Sequence, residues 1–133
     1  MKKILFTFLI TLCCLTMNAQ IQTYKATSYA YAEINQYSGR YSWSDWFECD
    51  VSVVFDLQRD IITIYSKSTQ YYSILTTGTS STDSLGGKQV SFKVVDQDDD
   101  IGTLRLRVEK NGNSQLYVDF NNVAWCYNLI RTS

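Results

Sequence analysis

Between Phe47 and Tyr65 the chain alternates. Phe47, Cys49, Val51, Val53 and Phe55 are apolar and Glu48, Asp50 and Ser52 polar; after a turn over Asp56 to Asp60 the apolar positions resume from Ile61 to Tyr65. Apolar residues at every second position put one face of a strand into a core and leave the other wet, so the stretch predicts a β-hairpin; no helical period fits it. The period recurs downstream. Val90, Phe92 and Val94 oppose Ser91 and Lys93; Leu104, Leu106 and Val108 oppose Arg105, Arg107 and Glu109; Leu116, Val118 and Phe120 oppose Tyr117 and Asp119. These are three half-buried antiparallel strands, joined by an acidic turn over Asp96 to Gly102 and a tight turn at Asn111-Gly112.

The remaining segments are read by the same rules. Gln70 to Thr76 carries Tyr71, Tyr72, Ile74 and Leu75 and predicts another strand, while Thr77 to Gly87 has no apolar period and predicts a loop. Asn121-Asn122 predicts a turn or bulge before Val123 to Ile130. A slip of the period there leaves open whether Trp125 and Tyr127 or Ala124 and Cys126 face inward. Tyr24 to Tyr37 fits two patterns: Ala26, Ala30 and Ile34 fall on one helical face, while Tyr29, Tyr31 and Glu33 alternate with Ala30, Ala32 and Ile34. The strand is favoured because aromatic residues cluster there and every later element is β. Ser38-Gly39-Arg40 breaks the pattern, which places Tyr41, Trp43 and Trp46 on a loop before the central hairpin.

About eight strands joined by short turns are most simply arranged as a meander. Closing such a meander removes both exposed edges, so the expected fold is all-β, an eight-stranded antiparallel barrel; a two-sheet β-sandwich is the alternative. In strand number and spacing the chain resembles the lipocalin and fatty-acid-binding barrels. That resemblance implies a barrel just wide enough for side chains or one small ligand. It carries no motif: the Gly-x-Trp that opens the lipocalin barrel is missing, since Gly39 is followed by Arg40 and Tyr41.

The N-terminus changes the domain count. Lys2 and Lys3, an apolar run from Ile4 to Leu15 and the small residue Ala19 predict a signal peptide over residues 1–19, too short in its apolar part to span a bilayer. Residues 20–133 then form a single exported domain, periplasmic or extracellular. Leu12 precedes Cys13 where a lipidation site wants a small residue, which argues against a lipid anchor at Cys13 or Cys14. No later apolar run is long enough to cross a membrane, so the mature chain is expected to be soluble. Net charge is −1 for the full chain, and loss of Lys2 and Lys3 takes it to −3. With basic residues scattered singly, nucleic acid is not an expected partner. Histidine is absent, which removes imidazole-based triads and zinc sites.

Four constellations could carry chemistry. Cys49 and Cys126 survive removal of the signal, and in an oxidising compartment they could form a disulfide tying an early strand to the last one; two buried free thiols are the other reading. The run Asp96 to Gly102 has carboxylates at alternate positions like the start of a calcium loop, but its glycine falls one place late and Arg107 stands where the closing acid belongs, so a solvated turn is expected. Asp45, Glu48 and Asp50 lie near Trp43 and Trp46, and two acids beside aromatic platforms are what a glycosidase uses, yet Glu48 and Asp50 fall on the wet strand face. Aromatic residues are the strongest signal, with ten Tyr, more than one small core needs. The expectation is therefore a non-catalytic binding module for a small ligand, glycan or protein partner, with Tyr41, Trp43 and Trp46 as its contact residues and no cofactor or metal. The alternative is a structural or protein-interaction domain with a filled core.

Overall fold

The computed structural model describes residues 21–132, and they contain no helix. The strands are β1 (Ile21–Ile34), β2 (Tyr41–Trp43), β3 (Phe47–Asp56), β4 (Ile61–Tyr65), β5 (Gln70–Thr77), β6 (Ser81–Thr82), β7 (Lys88–Val95), β8 (Ile101–Val108), β9 (Ser114–Phe120) and β10 (Val123–Arg131). Eight of them close a ring in the order β1-β3-β4-β5-β7-β8-β9-β10, antiparallel throughout, with β10 pairing back onto β1. The predicted barrel is therefore present and the sandwich is not. The signal peptide over residues 1–19, and any anchor at Cys13 or Cys14, lie outside the described residues. No helix among the described residues is long and apolar enough to cross a membrane.

Two short strands stand outside the ring: β2 pairs with the end of β1, and β6 pairs with β7. Tyr41–Trp43 is thus a strand and not the expected loop. Asn35 makes the return possible, because its side-chain carbonyl accepts the N–H groups of Tyr37 and Ser38 and Gly39 takes a φ of 69°. That left-handed backbone is inexpensive for glycine. Likewise Ser81–Thr82 interrupts what the sequence presents as one loop. Asp83 fastens this segment with a forked contact to Arg107 on β8, at 2.9 and 3.0 Å. At the acidic turn, the Asp96 carboxylate accepts the N–H groups of Asp98 and Asp100, closing the hairpin.

β1 carries the irregularity that decides what the barrel shows to solvent. Its register shifts between Ala26 and Ser28 against both neighbours, a β-bulge at Thr27. Tyr24 and Ala26 point into the core before the bulge and Tyr29 packs against the core after it, so Ser28, Ala30 and Ala32 turn outward. On β10 the two-residue turn at Asn121-Asn122 pairs Phe120 with Val123, hence Trp125 with Val118 and Tyr127 with Leu116. Trp125, Tyr127 and Leu129 therefore face inward, and Ala124 and Cys126 outward.

The interior is filled. Toward the end where β1 begins, Phe55 lies edge-on to Tyr24 at 5.5 Å and 6.0 Å from Phe92, and Val53, Ile62, Ile64, Leu104 and Leu116 are fully buried in the same core. At the other end Phe120 lies 5.7 Å from Tyr72 and 6.5 Å from Trp125.

Candidate functional site: an aromatic groove on the outer wall

The alternation that fills the barrel also lays out its exterior. One ladder row runs across five strands as Trp43, Ala32, Ala124, Asp119 and Thr103, all on the outer face. The neighbouring row runs Ala30, Cys126, Tyr117 and Arg105. Ala32 and Ala124 in the first row and Ala30 and Cys126 at the start of the second are small, so the wall is shallow there, with Trp43 on one side and Tyr117 and Arg105 on the other. Ala32 is 0% exposed although it faces away from the core. Its cover comes from β2, which folds Tyr41 and Trp43 over this part of the wall.

The result is a hollow of about 320 Å³ bounded by Tyr41, Trp43, Thr103, Arg105, Tyr117 and Asp119. The rings of Tyr41 and Trp43 lie 6.2 Å apart at 34°. Tyr41 and Trp43 remain 39% and 46% exposed, so much of each ring is open to solvent. The Tyr41 hydroxyl crosses β1 and β10 to donate a 3.1 Å hydrogen bond to Oδ1 of Asp119. Burial, reinforced by that carboxylate, holds the Tyr41 hydroxyl protonated above its ordinary range. On the far side the Arg105 guanidinium carbon sits 4.2 Å from the centre of the Tyr117 ring, a cation–π contact, and Nη1 donates to Gln89 at 3.0 Å. The Tyr117 hydroxyl donates to Gln115. Polar groups are thus held in place by neighbours while ring faces stay open.

Of the three aromatic residues expected at a site, the structure brings Tyr41 and Trp43 together and leaves Trp46 apart. Trp46 is 49% exposed on the turn before β3 and does not line the hollow. Sequence reasoning passed over Arg105, Tyr117 and Asp119. Alternation puts all three on wet strand faces, but only the register shows that they lie opposite β2.

Of the two readings of the cysteines, the structure shows the free thiols and not the bridge. β1 lies between their strands, and two strand spacings amount to about 9.6 Å, beyond the roughly 7 Å a disulfide can span. They also point to opposite sides of the wall: Cys49 packs against the core, whereas Cys126 lies under the outer covering. Burial pushes the Cys126 thiol up to about 11, with Tyr117 and Arg105 offsetting only part of the effect. Burial and then Asp50 raise Cys49. Neither thiol is a nucleophile near neutrality.

Glu48 and Asp50 stand on the wet face as alternation predicts, Asp50 paired with Lys25 at 3.1 Å. Among the described residues no group of three or more acids or thiols could hold a metal ion. No family profile, curated protein or solved structure matches the chain.

Proposed function

We propose that the protein is a non-catalytic carbohydrate-binding domain whose site is the outer-wall groove. The observation that carries this reading is the pairing of two open ring faces, Tyr41 and Trp43, with the fixed polar groups of Asp119 and Arg105 across one hollow. A sugar ring presents C–H faces that suit aromatic platforms and hydroxyls that suit a carboxylate and a guanidinium. Among the described residues Asp119 is the single carboxylate lining the groove. Glycoside hydrolysis ordinarily needs two, about 5–9.5 Å apart, so binding without cleavage suits the arrangement. An exported domain of this kind would meet glycans at or beyond the cell surface.

Affinity electrophoresis through gels containing soluble β-glucan, xylan or mannan tests the proposal. At least one polysaccharide should retard the protein, and Trp43→Ala should abolish the retardation with an unchanged circular-dichroism spectrum. Free migration in every gel, or retardation indifferent to Trp43→Ala, would count against it. The alternative, a protein-interaction domain, is favoured by the exposed Tyr31 and Phe47 rings, stacked 6.0 Å apart on another part of the surface. It expects no retardation in any gel.

A further inference from the structure

We infer, resting on the carbohydrate reading of the groove, that its ligand is a zwitterionic sugar, with a protonated amino group at one edge of the ring and an anionic group at the other. The groove holds two fixed charges of opposite sign, Asp119 on β9 and Arg105 on β8. Among the described residues, neither is in an ion pair. Asp119 accepts the Tyr41 hydroxyl at 3.1 Å, a neutral partner. Lys93, the cation of the same ladder row, stands two strands away on β7, about 9.6 Å by strand spacing. Arg105 is held between the Tyr117 ring at 4.2 Å and Gln89 at 3.0 Å, which position the guanidinium without neutralising it. Arg107 is the contrast. Two residues along the same strand and on the same face, it is tied to Asp83 at 2.9 Å and to Glu109 at 3.0 Å.

Register keeps the two groove charges apart. Across the β8–β9 ladder Asp119 stands opposite Thr103 and Arg105 opposite Tyr117, a diagonal of about 7–8 Å. The span of a hexose from its C2 to its C6 substituent is of the same order, and a hollow of about 320 Å³ takes one such unit. The rings decide which end is which. Tyr41 and Trp43 lie on the Asp119 side, where the Tyr41 hydroxyl is tied to that carboxylate. Open aromatic faces beside a carboxylate suit an ammonium group, by cation–π attraction and by charge. The planar, forked guanidinium suits a phosphate or carboxylate. A neutral sugar meets the same rings but leaves both charges without a counter-charge, and a purely acidic one brings its charge toward Asp119. A ligand of both signs pairs with each.

The test is a set of NMR titrations of the purified protein at low ionic strength with glucosamine 6-phosphate, glucose 6-phosphate, glucosamine and glucose. Glucosamine 6-phosphate should bind saturably and shift the amide signals of Tyr41, Trp43, Arg105 and Asp119. Glucose 6-phosphate and glucosamine should each bind at least about tenfold more weakly, as loss of a charge-assisted hydrogen bond implies, and glucose more weakly than either. Asp119→Asn, at an exposed position, should remove the advantage over glucose 6-phosphate, and Arg105→Gln the advantage over glucosamine. No saturable binding of glucosamine 6-phosphate, equal binding of the four sugars, or variants that leave the selectivity unchanged or weaken all four sugars in proportion would overturn the inference. If a neutral polysaccharide still retards the protein through Trp43, the carbohydrate reading survives that failure; free migration in every gel with no binding of any of the four sugars would overturn both.

Discussion

Cys126 faces outward on the barrel wall, where a side chain would ordinarily meet water, yet it is only 2% exposed. The reason is local: Ala30 beside it is too small to hold neighbouring groups away, and Tyr117 stands next to it on β9. The thiol is consequently hard to ionise in the folded chain. This gives a dependence on pH whose sign is fixed. Below the ordinary thiol value of 9.0 the group is protonated whether the chain is folded or not, so its burial costs nothing in charge. Between that value and about 11 the unfolded chain loses the proton and the folded one keeps it, so stability falls as pH rises. Urea midpoints from pH 8 to 10.5 should decline for the parent and decline less for Cys126→Ala; parallel curves would show that the thiol does not contribute. Tyr24, Tyr72 and Tyr127, all raised by burial, add to the decline at the alkaline end in both proteins.

At the scale of the strand, alternation was the legible signal and its interruptions were not. β3, β4, β7 and β9 lie within a residue or two of the positions that a period of two assigns, and β8 begins three residues early, at Ile101 inside the predicted acidic turn, because most of these strands keep one wetter and one drier face; β4, with Thr63 buried, shows the contrast least. β1 breaks the pattern. The bulge at Thr27 exchanges its faces midway, and no residue there announces it, since threonine is an ordinary strand residue. β2 was hidden for a different reason: three exposed residues are too few to show a period, and they are ordered by Asn35, Gly39 and the edge of β1. The candidate groove depends on both irregularities, which is why Tyr41 and Trp43 could be singled out by type while their polar neighbours could not.

Gly102 shows the same limit within β8. It occupies an inward position, and a Cβ there would stand 2.6 Å from the Phe120 ring and 2.7 Å from the Asp119 carbonyl oxygen. Glycine is therefore required by the close approach of β9, and Phe120 uses the vacated space to reach Tyr72. Gly102→Ala should cost about 1–3 kcal/mol, as overpacking does, read as a lower urea midpoint with an unchanged slope. A midpoint within error of the parent would mean that the ring shifts freely and that the packing at this end is looser than described.

For the whole molecule, closure makes the interior one cooperative unit and leaves the outer wall to carry the proposed groove. β10 meets β1 over most of its length, so no edge of the ring is left from which part of the core could open separately. A closed barrel was legible because eight strands with short turns have few other ways to hide their edges, whereas the choice of which aromatic residues serve the core required the register. That division can be measured with two substitutions of similar size. Phe55→Ala removes a ring that is 1% exposed and touches both Tyr24 and Phe92, and the cavity left behind should destabilise the domain by about 3–5 kcal/mol. Trp43→Ala removes a ring with nearly half its surface already in water, whose loss only bares a small patch of Ala32 and its neighbours, so about 1–2 kcal/mol is expected. Both variants should unfold in one step by fluorescence and by circular dichroism, because the barrel is a single core. A loss of several kcal/mol in Trp43→Ala would make this ring part of the structural core and remove the physical basis for treating the groove as a site.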